Sequence, residues 1–219
     1  THSGVRASAL AMDKHLSKQV FAAIGLPIAA SVLVEKGSVT AHPMEPPYVV
    51  KPVNQGSSVG IEIVVDGSNA VPDCLTEAGW AFDGMAMVEA YVAGRELTCA
   101  VMGPQSLDVM EIVPSNGWYD YRAKYEEGGS RHDLPADIPQ ALASQIQEIS
   151  LAAHVALGCR GVSRADFRFD ADSEQLALLE INTQPGMTPL SLVPEMAAHR
   201  GIGFADLVQW IVEDASCQR

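Results

Sequence analysis

Two apolar stretches near the C-terminus, VSRADFRF (Val162 to Phe169) and LALLEIN (Leu176 to Asn182), constrain the fold more than any other part of the chain. Side chains of an extended strand alternate between its two faces. The alternation puts Ala165, Phe167 and Phe169 on one face of the first stretch, and Arg164, Asp166 and Arg168 on the other. In the second it puts Leu179 and Ile181 inward and Glu180 with Asn182 on the opposite face. A hairpin through Asp170 to Gln175 then brings Asp166, Glu180 and Asn182 onto one surface. Two carboxylates and an amide oxygen, without sulfur or imidazole, form a hard-oxygen set suited to magnesium, which shares its shell with substrate phosphates. The other reading is a surface face whose carboxylates pair with Arg164 and Arg168. Alternation leaves both open.

The remaining segments supply more strands and several helices. The periodicity predicts a helix over Asp13 to Ile24, with Leu16, Val20, Ala23 and Ile24 at helical spacing and a stop at Gly25 and Pro27. Lys14 and Lys18, one turn apart, read as its solvated face. Glu35 to Pro47, rich in proline, is a connector. YVVKPV (Tyr48 to Val53), the glycine-rich NQGSSVG and GIEIVV (Gly60 to Val65) read as strand, loop, strand. Lys51 sits among valines, where a cation calls for an anion. The loop's small residues suit a phosphate cradle, but the order is not the Walker pattern and an ordinary hairpin turn fits as well.

A weaker segment, Pro72 to Phe82, reads as helix and turn, and strands are predicted at Ala86 to Val92, Glu96 to Met102 and Leu107 to Val113. The loop SNGWYDYRAKYEEGGSRHDLPAD is long for a compact domain and reads as a functional lid, with His132 a solvated loop histidine. Asp137 is expected to cap a helix with the stripe Leu142, Ile146, Ile149, Ala153 and Ala156, ended by Gly158, with His154 on its flank. After the two opening strands come a loop and a last helix carrying Phe204, Leu207, Val208 and Ile211. The mixture is an α+β fold.

At 219 residues, 47% of them hydrophobic, the chain can bury a sizeable core. Its net charge of −13 disfavours nucleic acid and anionic membranes, which require clustered Lys and Arg. No stretch approaches the roughly 20 apolar residues of a membrane span, and the start lacks a signal peptide, so a cytoplasmic location is expected. Cys74, Cys99, Cys159 and Cys217 are scattered without a CxxC pair, which fits reduced thiols and speaks against zinc.

Six segments carry a family resemblance. SGVRASALAMDK, VVKPVNQGSSVGI, VEAYVAGRELTCAVMG, WYDYRAKY, GCRGVSRADF and LLEINTQPGMTPLSLVP resemble, in order and spacing, the D-alanine-D-alanine ligases of the ATP-grasp superfamily. The resemblance implies an α+β ATP-grasp fold in which two α+β subdomains, residues 1–89 and 90–219, clamp a nucleotide between antiparallel sheets. It implies ATP-dependent joining of two D-alanines through an acylphosphate, for bacterial peptidoglycan.

By the same resemblance Lys14 and Lys51 hold ATP phosphates, Ser57, Ser58 and Lys124 also bind the nucleotide, and Lys124, Tyr125 and Ser57 take part in catalysis. Glu89, Ala90 and Val92 meet adenine largely by backbone, and Glu96 meets the ribose. Asp166, Glu180 and Asn182 fall on magnesium ligands, for two ions, with manganese as a substitute. Arg164 and the backbone of Gly186 match an oxyanion-stabilising pair, and Ser191 and Leu192 the site for the second D-alanine's carboxylate. In the lid, Tyr125 is expected to hydrogen-bond Ser57, and a tyrosine there favours an amine nucleophile.

Departures from the family are Arg6, Gln55 and Arg122, and the further domain that family members carry before the SGV motif. That domain supplies part of the usual homodimer contact and groups for the first D-alanine. A chain without it is expected to bind ATP and magnesium more readily than it makes dipeptide. The alternatives are another ATP-grasp carboxylate-amine ligase, or a nucleotide-binding fragment inactive without that domain.

Overall fold

The structure, a computed structural model, describes residues 1–76, 84–114, 129–188 and 191–217. Two antiparallel sheets organise them. Strands β1 (Ser31–Glu35), β2 (Tyr48–Pro52), β3 (Glu62–Val64) and β4 (Met85–Ala90) form the smaller, in the order β1-β4-β2-β3. The larger runs β10-β9-β5-β7-β8, from β5 (Arg95–Met102), β7 (Met110–Pro114), β8 (Ser130–Asp133), β9 (Val162–Asp170) and β10 (Gln175–Asn182), with the short β6 (Gln105–Ser106) on β5. The described helices are α1 (Val5–Met12), α2 (Lys14–Ala23), α3 (Asp73–Thr76), α4 (Gln140–Ala156), α5 (Leu192–His199) and α6 (Phe204–Glu213).

Position within a sheet explains how strongly each strand's pattern speaks. β2 lies between β3 and β4, and all five of its residues are buried, Lys51 included. Tyr48 and Val50 join Leu75 and Val88 in the core of the smaller sheet, while Val49 and Lys51 face the other way, into a cleft. The β9–β10 hairpin forms as the alternation predicts, with Asp166 opposite Glu180 and Arg164 opposite Asn182. A register shift between Leu178 and Glu180 alters one assignment. A bulge resets the two-residue period, so Leu178 and Ile181 enter the core and Leu179, expected inward, lines the cleft beside Glu180.

Helix α2 starts where Asp13 caps it, its carboxylate accepting the Leu16 N–H at 2.9 Å, and it stops before Gly25, whose φ is +75°. Its buried face differs from the expected one. Lys14, Ser17, Lys18 and Phe21 are buried, whereas Leu16 and Ile24 are 43% and 50% exposed. Lys14 and Lys18 are therefore not a solvated face. Each ammonium meets a carboxylate, Glu180 for Lys14 and Glu89 for Lys18, and only such pairing lets a lysine stay buried. Phe21 carries the helix onto the core of the larger sheet, alongside Ala7 and Ala11 of α1.

Other corrections share a cause: tertiary contacts outweigh local pattern. Asp137 does not cap α4, which begins after Pro139; its carbonyl instead accepts a hydrogen bond from Arg95 at 2.8 Å. Ile146, Ile149 and Ala153 are buried as expected, with Leu142 and Ala156 only half-buried. In α6 Leu207 and Ile211 are buried, but Phe204 and Val208 are exposed. β8 lies inside the stretch read as a lid, and its His132 bonds Glu195 at 2.7 Å and Ser130 at 3.2 Å instead of facing water. Helices α1 and α5 and strand β1 were not expected. All four cysteines are unpaired, and no described helix is long and apolar enough to cross a membrane.

His154 is likewise not on a flank but buried, its Nδ1 2.7 Å from Ser163 Oγ. Burial pushes its pKa below the ordinary 6.5. A histidine held neutral in the fold but free to protonate when unfolded makes the unfolded state bind more protons below pH 6.5, so stability falls on acidification through that value. Wild type is expected to lose at most about 1.4 kcal/mol between pH 7.5 and 5.5 from this group. Urea unfolding at both pH values should show a smaller loss in His154→Gln; an equal loss would remove His154 as the cause.

Candidate active site

Between the two sheets lies a cleft with about 870 Å³ of empty space, open solvent included, within the range of roughly 300–1,000 Å³ typical of ligand sites. The smaller sheet contributes Lys51 and Glu89, and the β2–β3 connection contributes Gln55 to Val59. The larger sheet contributes Glu96, Asp166, Arg168, Leu179 and Glu180, and α2 contributes Lys14. The segment joining the sheets, Ala90 to Val92, forms one wall. Of the residues singled out by resemblance, Lys14, Lys51, Ser57, Ser58, Glu89, Ala90, Val92, Glu96, Asp166 and Glu180 share this cleft. Ser57 and Ser58 both have φ in the left-handed region, at +55° and +58°. Two successive non-glycine residues held there cost about 1–3 kcal/mol each, strain that concentrates in loops that clamp ligands.

Charge organisation is the cleft's main feature. Glu89 is 1% exposed, with one carboxylate oxygen against the Lys51 ammonium and the other against that of Lys18. Burial alone would raise the Glu89 pKa, but Lys51 and Lys18 together outweigh it and hold the carboxyl below the usual range. Burial pulls the Lys18 pKa down, against the upward pull of Glu89. Lys14 sits 3.4 Å from Glu180 and donates to the Gln55 carbonyl, tying α2 to both the glycine-rich turn and β10.

At the opposite end, Arg168 donates to the Val92 carbonyl at 3.1 Å, lies 3.8 Å from Glu96 and stands over the Tyr91 ring. The N–H groups of Ala90 and Tyr91 already donate to the carbonyls of Ala30 and Pro47.

The hairpin's polar face answers the choice left open above. Asp166 does pair with Arg164, through a two-pronged contact at 2.9 Å and 2.9 Å, and it also accepts from Thr98 Oγ1 at 2.7 Å. Yet Arg164 and Asp166 have side chains only 14% and 15% exposed, and Glu180 pairs with a lysine of another element. Asp166, Arg168 and Glu180 line the cleft, so this is not a solvated sheet face. Asn182 Oδ1 accepts the Gln184 N–H at 3.0 Å.

The donors Asp166, Glu180 and Asn182 are all oxygens, and no cluster of three His, Cys, Asp or Glu suited to a metal occurs among the described residues. A set of two carboxylates and one amide fits a hard cation that completes its shell with phosphate oxygens and water.

Arg164, Asn182, Gly186, Ser191 and Leu192 are not among the residues that line this cleft. A Cβ on Gly186 would stand 2.7 Å from Ser191 Oγ, so the two are in close contact, and that hydroxyl also receives the Thr188 N–H at 3.0 Å. The Leu192 side chain belongs to the core, 5% exposed, which leaves its backbone for any ligand. Lys124 and Tyr125, and with them the expected Tyr125–Ser57 bond, lie outside the described residues.

Sequence reasoning assigns none of Lys18, Tyr91, Arg168 and Leu179 to the site. Lys18 had one signal. Like charges one helical turn apart repel, and the pair on α2 persists because each lysine has its own anion.

The sequence profile of the family described as D-ala D-ala ligase C-terminus matches residues 20–213. The chain belongs to that family. It is 56% identical to the D-alanine–D-alanine ligase of Parvibaculum lavamentivorans and 54% identical to that of Sinorhizobium fredii, covering all of this chain and 72% of each relative. Among solved structures, the D-alanine–D-alanine ligase of Bacillus anthracis complexed with ATP superposes with a TM-score of 0.79 at 28% identity, over 98% of this chain and 69% of that one. The VanG D-Ala:D-Ser ligase of Enterococcus faecalis superposes at 0.82 and 30% identity, over 97% and 64%. Family membership makes this an ATP-grasp α+β fold and an ATP-dependent ligase of small molecules.

Proposed function

We propose that the chain catalyses ATP-dependent ligation of two D-alanines to D-alanyl-D-alanine for peptidoglycan synthesis. The observation that carries this reading is the cleft itself: buried lysines, a strained small-residue turn and an all-oxygen face converge in it, in a chain with the family's motifs. The clamp halves are the sheet of β1–β4 and the sheet of β5–β10, meeting at residues 90–94. Lys14, Lys51 and the turn at Ser57 and Ser58 hold the phosphates, while Glu89 to Val92 and Glu96 flank the nucleoside. Asp166, Glu180 and Asn182 would hold magnesium, which when bound neutralises charge on the transferring phosphoryl group.

The chemistry has two steps. A carboxylate oxygen of the first D-alanine attacks the γ-phosphorus, and ADP leaves. The neutral amine of the second D-alanine then attacks the acylphosphate carbon, the C–N bond forms, the C–O bond to phosphate breaks with its electron pair leaving on phosphate, and the proton lost from nitrogen passes to that phosphate or to water. Arg164 and the Gly186 N–H face the oxyanion that develops in this step. Ser191 and the Leu192 backbone receive the second carboxylate. The reaction consumes ATP, a cytoplasmic metabolite, which supports a cytoplasmic site of action.

The test is coupled ADP release with ATP, magnesium and a panel of D-amino and D-hydroxy acids. Release that depends on D-alanine, with dipeptide formed in equal amount, is expected. Turnover with other acceptors alone would move the assignment to another carboxylate-amine ligase. Magnesium-dependent nucleotide binding without release would leave a binding module.

A further inference from the structure

Lys18 does not line the cleft, yet it is among the most deeply buried charges of the described residues, 2% exposed. Its ammonium stands behind Glu89, against the carboxylate oxygen opposite the one that meets Lys51. Glu89 and Lys51 both line the cleft. A single lysine would suffice to neutralise a single buried glutamate, and desolvating a second ammonium is costly. The arrangement therefore calls for a reason beyond pairing.

Charge counting supplies one. Lys51 and Glu89 alone sum to zero, and an anion in the cleft would meet a neutral pair. Lys18, Glu89 and Lys51 sum to one positive charge. With one carboxylate oxygen occupied from behind, the Lys51 ammonium is held by only the other and keeps attraction to spare for an anion in front of it. In a cleft of low effective dielectric, one unit of charge near a polyphosphate matters far more than on the open surface.

We infer that Lys18 is a positioning residue for nucleotide binding: it shares the Glu89 carboxylate so that Lys51 presents net positive charge to the phosphates. The inference rests on the nucleotide reading above and adds a residue to it that touches neither nucleotide nor amino acid.

The test measures binding of magnesium with a non-hydrolysable ATP analogue to the full-length protein by calorimetry, beside steady-state kinetics. Lys18→Met keeps the side-chain length and leaves the Lys51–Glu89 pair balanced. Its Kd for the analogue should rise roughly tenfold or more, and KM for ATP should rise in parallel, with KM for D-alanine unchanged. Lys18→Arg keeps a second cation on the Glu89 carboxylate, and its Kd for the analogue should stay within about threefold of wild type. Adenosine, which carries no phosphate, should bind K18M within about twofold of wild type, whereas a residue needed only for packing would weaken adenosine and the analogue alike.

A Kd for K18M within twofold of wild type overturns the inference, as does a K18M that loses as much affinity for adenosine as for the analogue. If K18M fails to fold, Lys18→Gln, which also lacks the charge, decides by the same two criteria. If that variant fails to fold as well, Lys18 is a folding residue and the inference is overturned. Wild type that binds no nucleotide would remove the nucleotide reading itself, a pattern distinct from all of these.

Discussion

Arg164→Ala is expected to lower turnover roughly a hundredfold to a thousandfold, the usual cost of losing a donor to a developing oxyanion. Arg164 lies on β9, and its guanidinium is oriented by the two-pronged contact with Asp166, itself fixed by Thr98. A planar fork held this way has little rotamer freedom left to lose, and arginine has donors beyond the two that Asp166 takes. The interaction gains strength as negative charge builds on the substrate oxygen, so the loss should fall on kcat. Nucleotide affinity measured by calorimetry should stay within a few fold of wild type. Arg164→Lys should recover little of the rate, since a single ammonium cannot hold Asp166 and meet the substrate in the same geometry. A loss of only a few fold in Arg164→Ala would remove Arg164 from the reaction.

The hairpin bearing Arg164 was the most legible part of the sequence because its two faces differ in polarity and one of them is core. Period-two alternation then groups Asp166 with Arg164 and Arg168, and Glu180 with Asn182, on polar faces, and the hairpin sets Asp166 opposite Glu180. The bulge at Leu179 was hidden, since a one-residue insertion leaves the composition of the strand unchanged and shows only in the pairing. Helix α2 misled for a different reason. Its buried face is half polar, so a hydrophobic-spacing rule selects Leu16 and Ile24, the residues that water reaches.

Burial of Lys14 and Lys18 depends on Glu180 and Glu89, which are distant in sequence. No local window contains that information. The same holds for β8 and His132, whose partner Glu195 stands on α5. Charged side chains at the site are thus placed by long-range pairing, and the family motifs record residue types without recording which pairs with which.

Gly94 connects fold and site most directly, and its substitution should have the largest effect on stability. Its φ is +85°, and a Cβ there would lie 2.2 Å from the Phe169 carbonyl oxygen and 2.9 Å from the Asp170 Cα. Both are backbone atoms of β9, so no side chain can swing aside. Gly94→Ala must either abandon the left-handed conformation or push β5 from β9 at the Arg95–Phe169 pair. Left-handed backbone alone costs an alanine about 1–2 kcal/mol, and with the clash the total should reach about 3–4 kcal/mol. At about 2–4 °C per kcal/mol for a chain of this size, the melting temperature should drop by about 6–16 °C. The displaced turn also carries Val92, whose carbonyl is held by Arg168, the residue beside Phe169. The folded fraction of Gly94→Ala should therefore bind nucleotide more weakly, which calorimetry below its melting temperature would register. A melting temperature within 2 °C of wild type would mean that the turn relaxes without strain, and the wall of the cleft would then owe nothing to a residue lacking Cβ.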